Sequence, residues 1–208
     1  MSKPERASFL AAHLPVGRHG SPNETPVLIS EMVLDAIEVT ARRGGEAKLR
    51  GAVAELGLEL PGLGAFSESD GVTALCLSPG TWTLVARPET ISGVARRLQA
   101  LCREDQAARH ADVVMVDIGH SLAFVTLSGV AVRRTLARGC QLDLHLRTFK
   151  PGQAARTIIA HLPATLWMIS DKPEFCIAVP ITFAQGFARF MLTASAETGC
   201  EIRLAEKE

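Results

Sequence analysis

The sequence predicts an α+β fold made of two duplicated strand–helix–hairpin–helix units with antiparallel sheets. Three observations predict it. Short β-like runs and helical periodicities alternate along the chain, with hairpin turns between the runs. The stretch LCLSPGTWTLVA (75–86) aligns with MISDKPEFCIAV (168–179), and GVAR at Gly93 aligns with GFAR at Gly186. Trp82 and Phe175 stand 93 residues apart (175 − 82), as do Gly93 and Gly186 (186 − 93). A fixed offset across a hairpin and the helix after it points to internal duplication. Gly57 and Leu60 match Gly139 and Leu142 at an offset of 82 (139 − 57), which places about eleven extra residues between helix and hairpin in the second copy.

The elements follow in order. Residues 1–29 carry Pro4, Pro15, Pro22 and Pro26 with Gly17, Gly20 and Asn23, and read as an extended N-terminal arm. Ser8 to His13 could form a helical turn within it. The later part of Leu28–Thr40, with Val33, Ile37 and Val39, reads as a strand. Glu46–Leu56 reads as a helix closed by Gly57. Val72–Leu77 and Trp82–Ala86 are strands around the turn signal Ser-Pro-Gly. Ile91, Val94, Ala95, Leu98 and Leu101 fall at helical spacing.

The order then returns. Val113–Ile118 and Leu122–Leu127 read as strands joined by a turn at Gly119-His120. Val130–Arg138 reads as a helix closed by Gly139. Thr157–His161 and Ala164–Ile169 are β-like and broken by Pro163, and Phe175–Val179 is a further strand. Phe183, Phe187, Phe190, Met191 and Ala194 make an apolar helical stripe. The expected organisation is an arm (1–29), a first half (30–110) and a second half (111–208). The halves would pack as one compact pseudo-twofold domain with a groove suited to a ligand or partner.

Of the 208 residues, 47% are apolar and 21% charged, and Lys plus Arg equals Asp plus Glu. A neutral chain of this kind carries no electrostatic footprint for nucleic acid or an anionic membrane. No apolar run reaches the roughly 18 residues of a membrane span, and the N-terminus lacks a secretory core, so a cytoplasmic protein is expected. Five cysteines form no C-x-x-C, and six histidines show no ligand spacing, so structural thiols and no metal site are expected. Nucleophile-elbow and P-loop motifs are absent, and Gly62-Leu-Gly-Ala-Phe66 is an incomplete dinucleotide fingerprint with no strand before it. His110 and His161 read as edge or surface residues.

Two stretches carry candidate chemistry. Gly119-His120-Ser121 invites a His/Ser pairing, yet adjacent strand residues face opposite ways, so a turn is the better reading. In Gly139-Cys-Gln-Leu-Asp-Leu-His145, glycine suits a left-handed helix cap. If the run after it is extended, Asp143 and His145 share one face and the leucines the other. The pair could be an oriented acid/base dyad. It could equally be a polar face that pairs with Arg138 and Arg147, or caps a neighbouring helix. A thiol chemistry of Cys140 with His145 would need a depressed thiol pKa.

Residues 112–195 resemble the gamma subunit of heterotetrameric sarcosine oxidase, while the first half matches in layout. The resemblance rests on the His120-Ser121 turn, then Leu127-Ser128-Gly129. It continues through the L-x-x-G-C-x-L-D-L-H run at Leu136, Gly139, Cys140, Leu142, Asp143, Leu144 and His145, then Phe149, Gly152 and Thr157, and ends with a final amphipathic helix after an apolar strand ending in Pro180. It implies a fold similar to the folate-binding domain of the glycine-cleavage T-protein. It also implies a four-subunit complex that oxidatively demethylates an N-methyl amino acid. Alpha would be this chain's main partner, with beta and delta completing the assembly. FAD, FMN, NAD, tetrahydrofolate and zinc would reside in those partners, with no cofactor and no catalytic residue in this chain. His120, Ser121, Gly139, Cys140, Asp143, His145, Phe149 and Thr157 are then family-motif or interface residues. The alternative is a stand-alone aminomethyltransferase-like protein with Asp143 facing tetrahydrofolate. Against it, the run Ala155–Ser170 lacks the Asn-x-x-Gly and acidic strand that line the pterin site in T-proteins.

Overall fold

The computed structural model describes residues 8–13, 15–21, 26–102 and 112–205. Pro4, Pro22 and Asn23 of the expected arm, and His110, lie outside the described residues. The chain divides into two compact units, one of Leu34–His120 with Gly152–Ala155, the other of Met1–Val33, Ser121–Pro151 and Arg156–Glu208.

The N-terminal stretch contributes α1 (Phe9–His13), β1 (Gly17–His19) and β2 (Val27–Met32). The first repeat follows as β3 (Asp35–Ala41), α2 (Glu46–Ala54), β4 (Ala65–Ser69), β5 (Val72–Ser78), β6 (Thr81–Ala86), α3 (Pro88–Leu101) and β7 (Val113–Asp117). The second repeat is β8 (Leu122–Ser128), α4 (Val132–Leu136), β9 (Ala154–Ile159), β10 (Leu162–Ser170), β11 (Glu174–Pro180), α5 (Ala184–Ser195) and β12 (Cys200–Arg203).

In the first unit the strands form a five-stranded sheet in the order β4-β5-β6-β3-β7, antiparallel throughout. Leu49 and Val53 of α2 and Ile91 and Leu98 of α3 share one core cluster with Val39, Trp82 and Leu84 of the sheet. Pro88 opens α3, where its missing N–H costs nothing. The β4–β5 turn is Asp70-Gly71, both at positive φ (48° and 72°), as a two-residue turn matching strand twist requires.

The other unit holds a seven-stranded sheet, β1-β12-β2-β8-β11-β10-β9. β11 lies between β8 and β10, and Phe175 to Val179 are all buried. The stripe on α5 packs inward through Phe187 and Met191, while Phe183 remains exposed.

The duplication is present strand for strand: β3, α2, β4, β5, β6 and α3 recur in order as β8, α4, β9, β10, β11 and α5. Both hairpins carry a register shift beside the turn. Ser78 pairs with Thr81, whereas Ser170 pairs with Glu174, so the second turn is one residue longer. The 93-residue offset therefore holds on the outgoing strand and into the helix.

Several readings change. β7 and β8 do not pair with each other, because they belong to different sheets. Pro163 does not break the second copy's strands: it stands inside β10, and the turn is Ala160-His161 at φ 49° and 68°. Val33 belongs to no strand and lies 43% exposed between β2 and β3, and the strand starts at Asp35. Within residues 1–29, β1 pairs antiparallel with β12, and β2 enters the sheet with Val27 and Ile29 buried. β1, β4 and β12 carry no sequence signal of their own.

Glu31 fastens the N-terminal segment. Its buried carboxylate accepts hydrogen bonds from the Ser8 hydroxyl and the Phe9 amide (2.9 Å) at the start of α1, which lies against α5. The carboxylate thereby supplies an acceptor to an otherwise orphan helical N–H. Glu31→Ala should cost about 1–3 kcal/mol, because it strips the buried Phe9 amide and the half-buried Ser8 hydroxyl of their acceptor. A denaturant titration that shows under about 0.5 kcal/mol of loss, the range of neutral surface changes, would contradict this.

Candidate functional site

The candidate residues are set by the segment from α4 to β9. The carbonyl of Leu136 accepts from both the Gly139 amide (3.0 Å) and the Cys140 amide (2.8 Å), which ends the helix tightly. Cys140 bridges Ile159, and the Ala160 amide donates to the Gly139 carbonyl (3.0 Å), so this stretch runs along β9.

Gly139 is not the left-handed cap that its position suggested; it is absent from the positive-φ positions among the described residues. Its requirement is space. A Cβ there would lie 2.7 and 2.8 Å from ring atoms of Phe190 and 3.1 Å from the Ala160 nitrogen.

The run Gln141–Leu146 is not a strand, so the expected division into a polar and an apolar face fails. Leu144 is 4% exposed and Leu146 is 47% exposed, although both were placed on one face. The local hydrogen bonds of Asp143 replace the strand. Its Oδ1 accepts from the His145 amide (2.9 Å), and its Oδ2 accepts from the Thr148 hydroxyl (2.8 Å). Short polar side chains compete with ladder formation in this way. The His145 amide first and the Thr148 hydroxyl second hold the Asp143 carboxyl below the usual aspartate range, although the group is exposed.

His145 Nδ1 accepts from the Arg147 amide (3.2 Å), which places the ring proton on Nε2 when the ring is neutral. The His145 carbonyl accepts from the Thr148 (2.9 Å) and Phe149 (2.8 Å) amides and closes the turn. Arg138, weighed as a partner for Asp143, instead pairs with Glu197, which Arg134 also approaches at 3.5 Å.

Phe149 is buried and stacks on Phe175, with ring centroids 6.4 Å apart. The Arg133 guanidinium lies 5.2 Å from the Phe175 ring centre, and its Nη2 contacts the Met168 sulfur at 3.2 Å. Its Nε and Nη1 have no partner among the described residues, and burial lowers its pKa. Neither Arg133 nor Thr148 was singled out from the sequence. Thr148 could have been found as a hydroxyl one turn beyond Asp143, whereas nothing local marks Arg133.

The other candidates stand elsewhere. His120 and Ser121 occupy an exposed 3-10 turn, whose Gly119 amide donates to Asp117 (3.0 Å). Thr157 lies half-buried on β9. Cys140 is half-buried, and the other four cysteines are buried. Desolvation raises the thiol pKa of Cys76, Cys102 and Cys200, which disfavours the reactive thiolate. Among the described residues no cluster of three His, Cys, Asp or Glu side chains could hold a metal ion.

The pattern of the family described as "Sarcosine oxidase, gamma subunit family" matches residues 44–197, nearly all of both repeats. The chain belongs to that family. The match extends the sequence-based resemblance, close only over 112–195, through the first repeat. A solved structure of heterotetrameric sarcosine oxidase from Corynebacterium sp. U-96, in complex with pyrrole 2-carboxylate, is similar in fold. The similarity has a TM-score of 0.72 at 23% identity, and covers 92% of this chain and 95% of that one. The glycine cleavage system aminomethyltransferase T from Bartonella henselae is similar with a TM-score of 0.62 at 15% identity. That similarity covers 86% of this chain and 48% of the aminomethyltransferase. None of the curated protein sequences matches the chain. For this gamma-subunit family member, no helix among the described residues is long and apolar enough to cross a membrane.

Gly139→Ala should destabilise the fold by about 1–3 kcal/mol through overpacking against Phe190. Gly139→Ala combined with Phe190→Leu should recover part of that loss; no recovery would contradict the steric account. Thr148→Ala should raise the Asp143 pKa towards the ordinary aspartate value. A depressed carboxyl stabilises the fold above its unfolded pKa, and that contribution disappears as pH falls through the folded pKa. Carboxyl titration by NMR should therefore show Asp143 keeping its charge to lower pH in the parent chain than in the variant.

Proposed function

We propose that this chain acts as the non-catalytic gamma subunit of a four-subunit, flavin-dependent complex that oxidatively demethylates sarcosine or a related N-methylated amino acid. Membership of the sarcosine oxidase gamma subunit family carries this reading. Alpha is the main partner, and beta and delta complete the assembly. FAD, FMN, NAD, tetrahydrofolate and zinc reside in those chains.

The geometry around Asp143 supports a structural role. Each carboxylate oxygen already accepts a hydrogen bond from the loop that carries it. The neighbouring His145 Nδ1 is likewise engaged by a backbone amide. A general base is most effective with a pKa near the working pH, whereas these hydrogen bonds hold the Asp143 carboxyl below the usual aspartate range. Here the same atoms hold a turn, and the turn places Leu144 and Phe149 in the core. Removal of a hydride from an N-methyl carbon then belongs to the flavin-bearing chains, and this chain stabilises their assembly.

The test is co-expression of all four chains with Asp143→Ala in this one. The assembled complex should keep its stoichiometry, with sarcosine turnover within about twofold of the parent. A drop of about 100-fold in kcat with the assembly intact, the scale of a lost general base, would overturn the non-catalytic role. Leaving this chain out should sharply reduce the yield of the flavin-bearing complex.

A further inference from the structure

The two sheets have four outer edges, and three of them are blunted. β4 is covered by residues 152–154: Ala65 bridges Gln153, the Phe66 amide donates to Gly152 (3.0 Å), and the Ala154 amide donates to Gly64 (2.9 Å). β9 is covered by Gly139–Gln141 through the Cys140–Ile159 bridge. β1 is three residues long and carries Arg18. Short length, charge and covering segments are the means by which sheet edges avoid pairing.

β7 is less protected: it is five residues long, its one charge, Asp117, stands at its last position, and no strand among the described residues covers its outer edge. Its sequence is Val113-Val-Met-Val-Asp117, without proline, lysine or glycine, and its register with β3 is continuous from Ala41↔Val113 to Ile37↔Asp117. Antiparallel strands alternate between residues bonded to the neighbour and residues bonded outward. The Arg42 amide donates to Asp112 and the Ile118 amide to Ala36, so the even-numbered residues face β3. The backbone N–H and C=O groups of Val113, Met115 and Asp117 therefore point off the sheet, where no strand among the described residues pairs with them. Val116 is 49% exposed on the same strand.

The duplication says what such an edge takes. β7 lies antiparallel beside β3 as β2 lies antiparallel beside β8. In the second case the sheet continues, because β12 pairs with β2 in parallel. The geometry points to a sixth strand on β7: an extended segment of another subunit, added in parallel as β12 is added to β2. This inference rests on the gamma-subunit reading. A second copy of this chain is the poorer occupant. Two identical edges meeting about a twofold axis run antiparallel, and the precedent within the fold is parallel. Strand addition would give affinity through main-chain hydrogen bonds and selectivity through alternate side chains.

The experiment is hydrogen exchange, resolved to single amides, on the assembled four-chain complex. The amides of Val113, Met115 and Asp117 should exchange within about tenfold of those of Val114 and Val116, which are bonded to β3. In addition, Val116→Lys should weaken retention of the partner chains at least tenfold, whereas Leu63→Lys, at a position 65% exposed in the same unit, should leave it unchanged. Outward amides that exchange freely in an intact complex overturn the strand-addition proposal and leave the gamma-subunit reading standing. Failure of the chain to assemble with any partner overturns both. Protection that depends only on the concentration of the isolated chain identifies a second copy as the occupant, and also overturns the proposal.

Discussion

The larger sheet depends on one insertion. β2 wedges between β8 and β12, antiparallel to the first and parallel to the second. β12 reaches the sheet only through β2, and β1 only through β12. Val27 and Ile29 are buried as a consequence, and the chain ahead of them is drawn onto the same unit. Gly129 marks how close the strand comes: it adopts φ +114°, and a Cβ there would lie 3.0 Å from the Pro26 carbonyl oxygen. Glu31, one strand position from the end of β2, then anchors α1. In the smaller sheet β7 takes the place of β2, antiparallel on β3, and no strand among the described residues takes the place of β12. The difference between the repeats is thus a difference in how many strands cover one edge.

Strong local periodicity made most of the fold legible. The α3 and α5 stripes, the two hairpins and the fixed spacing between them follow from side-chain patterns that the core requires. β1, β4 and β12 were not legible, because each is short and gains its definition from the strand beside it. β2 was masked by its surroundings of proline, glycine and asparagine, which read as an arm. Pro163 looked like a breaker, yet a proline near the start of a strand keeps its place where no ladder bond is lost.

The candidate site was legible in its residues and misread in its shape. Leu142, Leu144 and Leu146 alternate with Asp143 and His145, which is the pattern of a half-buried strand. The Asp143 carboxylate instead bonds two groups of its own loop and bends the chain within six residues. Gly139 is needed for its missing Cβ, a requirement set by Phe190 some fifty residues later. No local pattern could reveal that, and none reveals Arg133 over Phe175. The segment that most resembled an active site is a turn whose polar atoms serve the loop and whose apolar ones, Leu144 and Phe149, serve the core.

The central claim is that this family member works within a flavin-bearing assembly. Purification of the chain from its native cells, with mass spectrometry and a visible spectrum of what co-elutes, tests it most directly. The account predicts stoichiometric larger and smaller partner chains and a flavin absorption band. A colourless protein that elutes alone would contradict it.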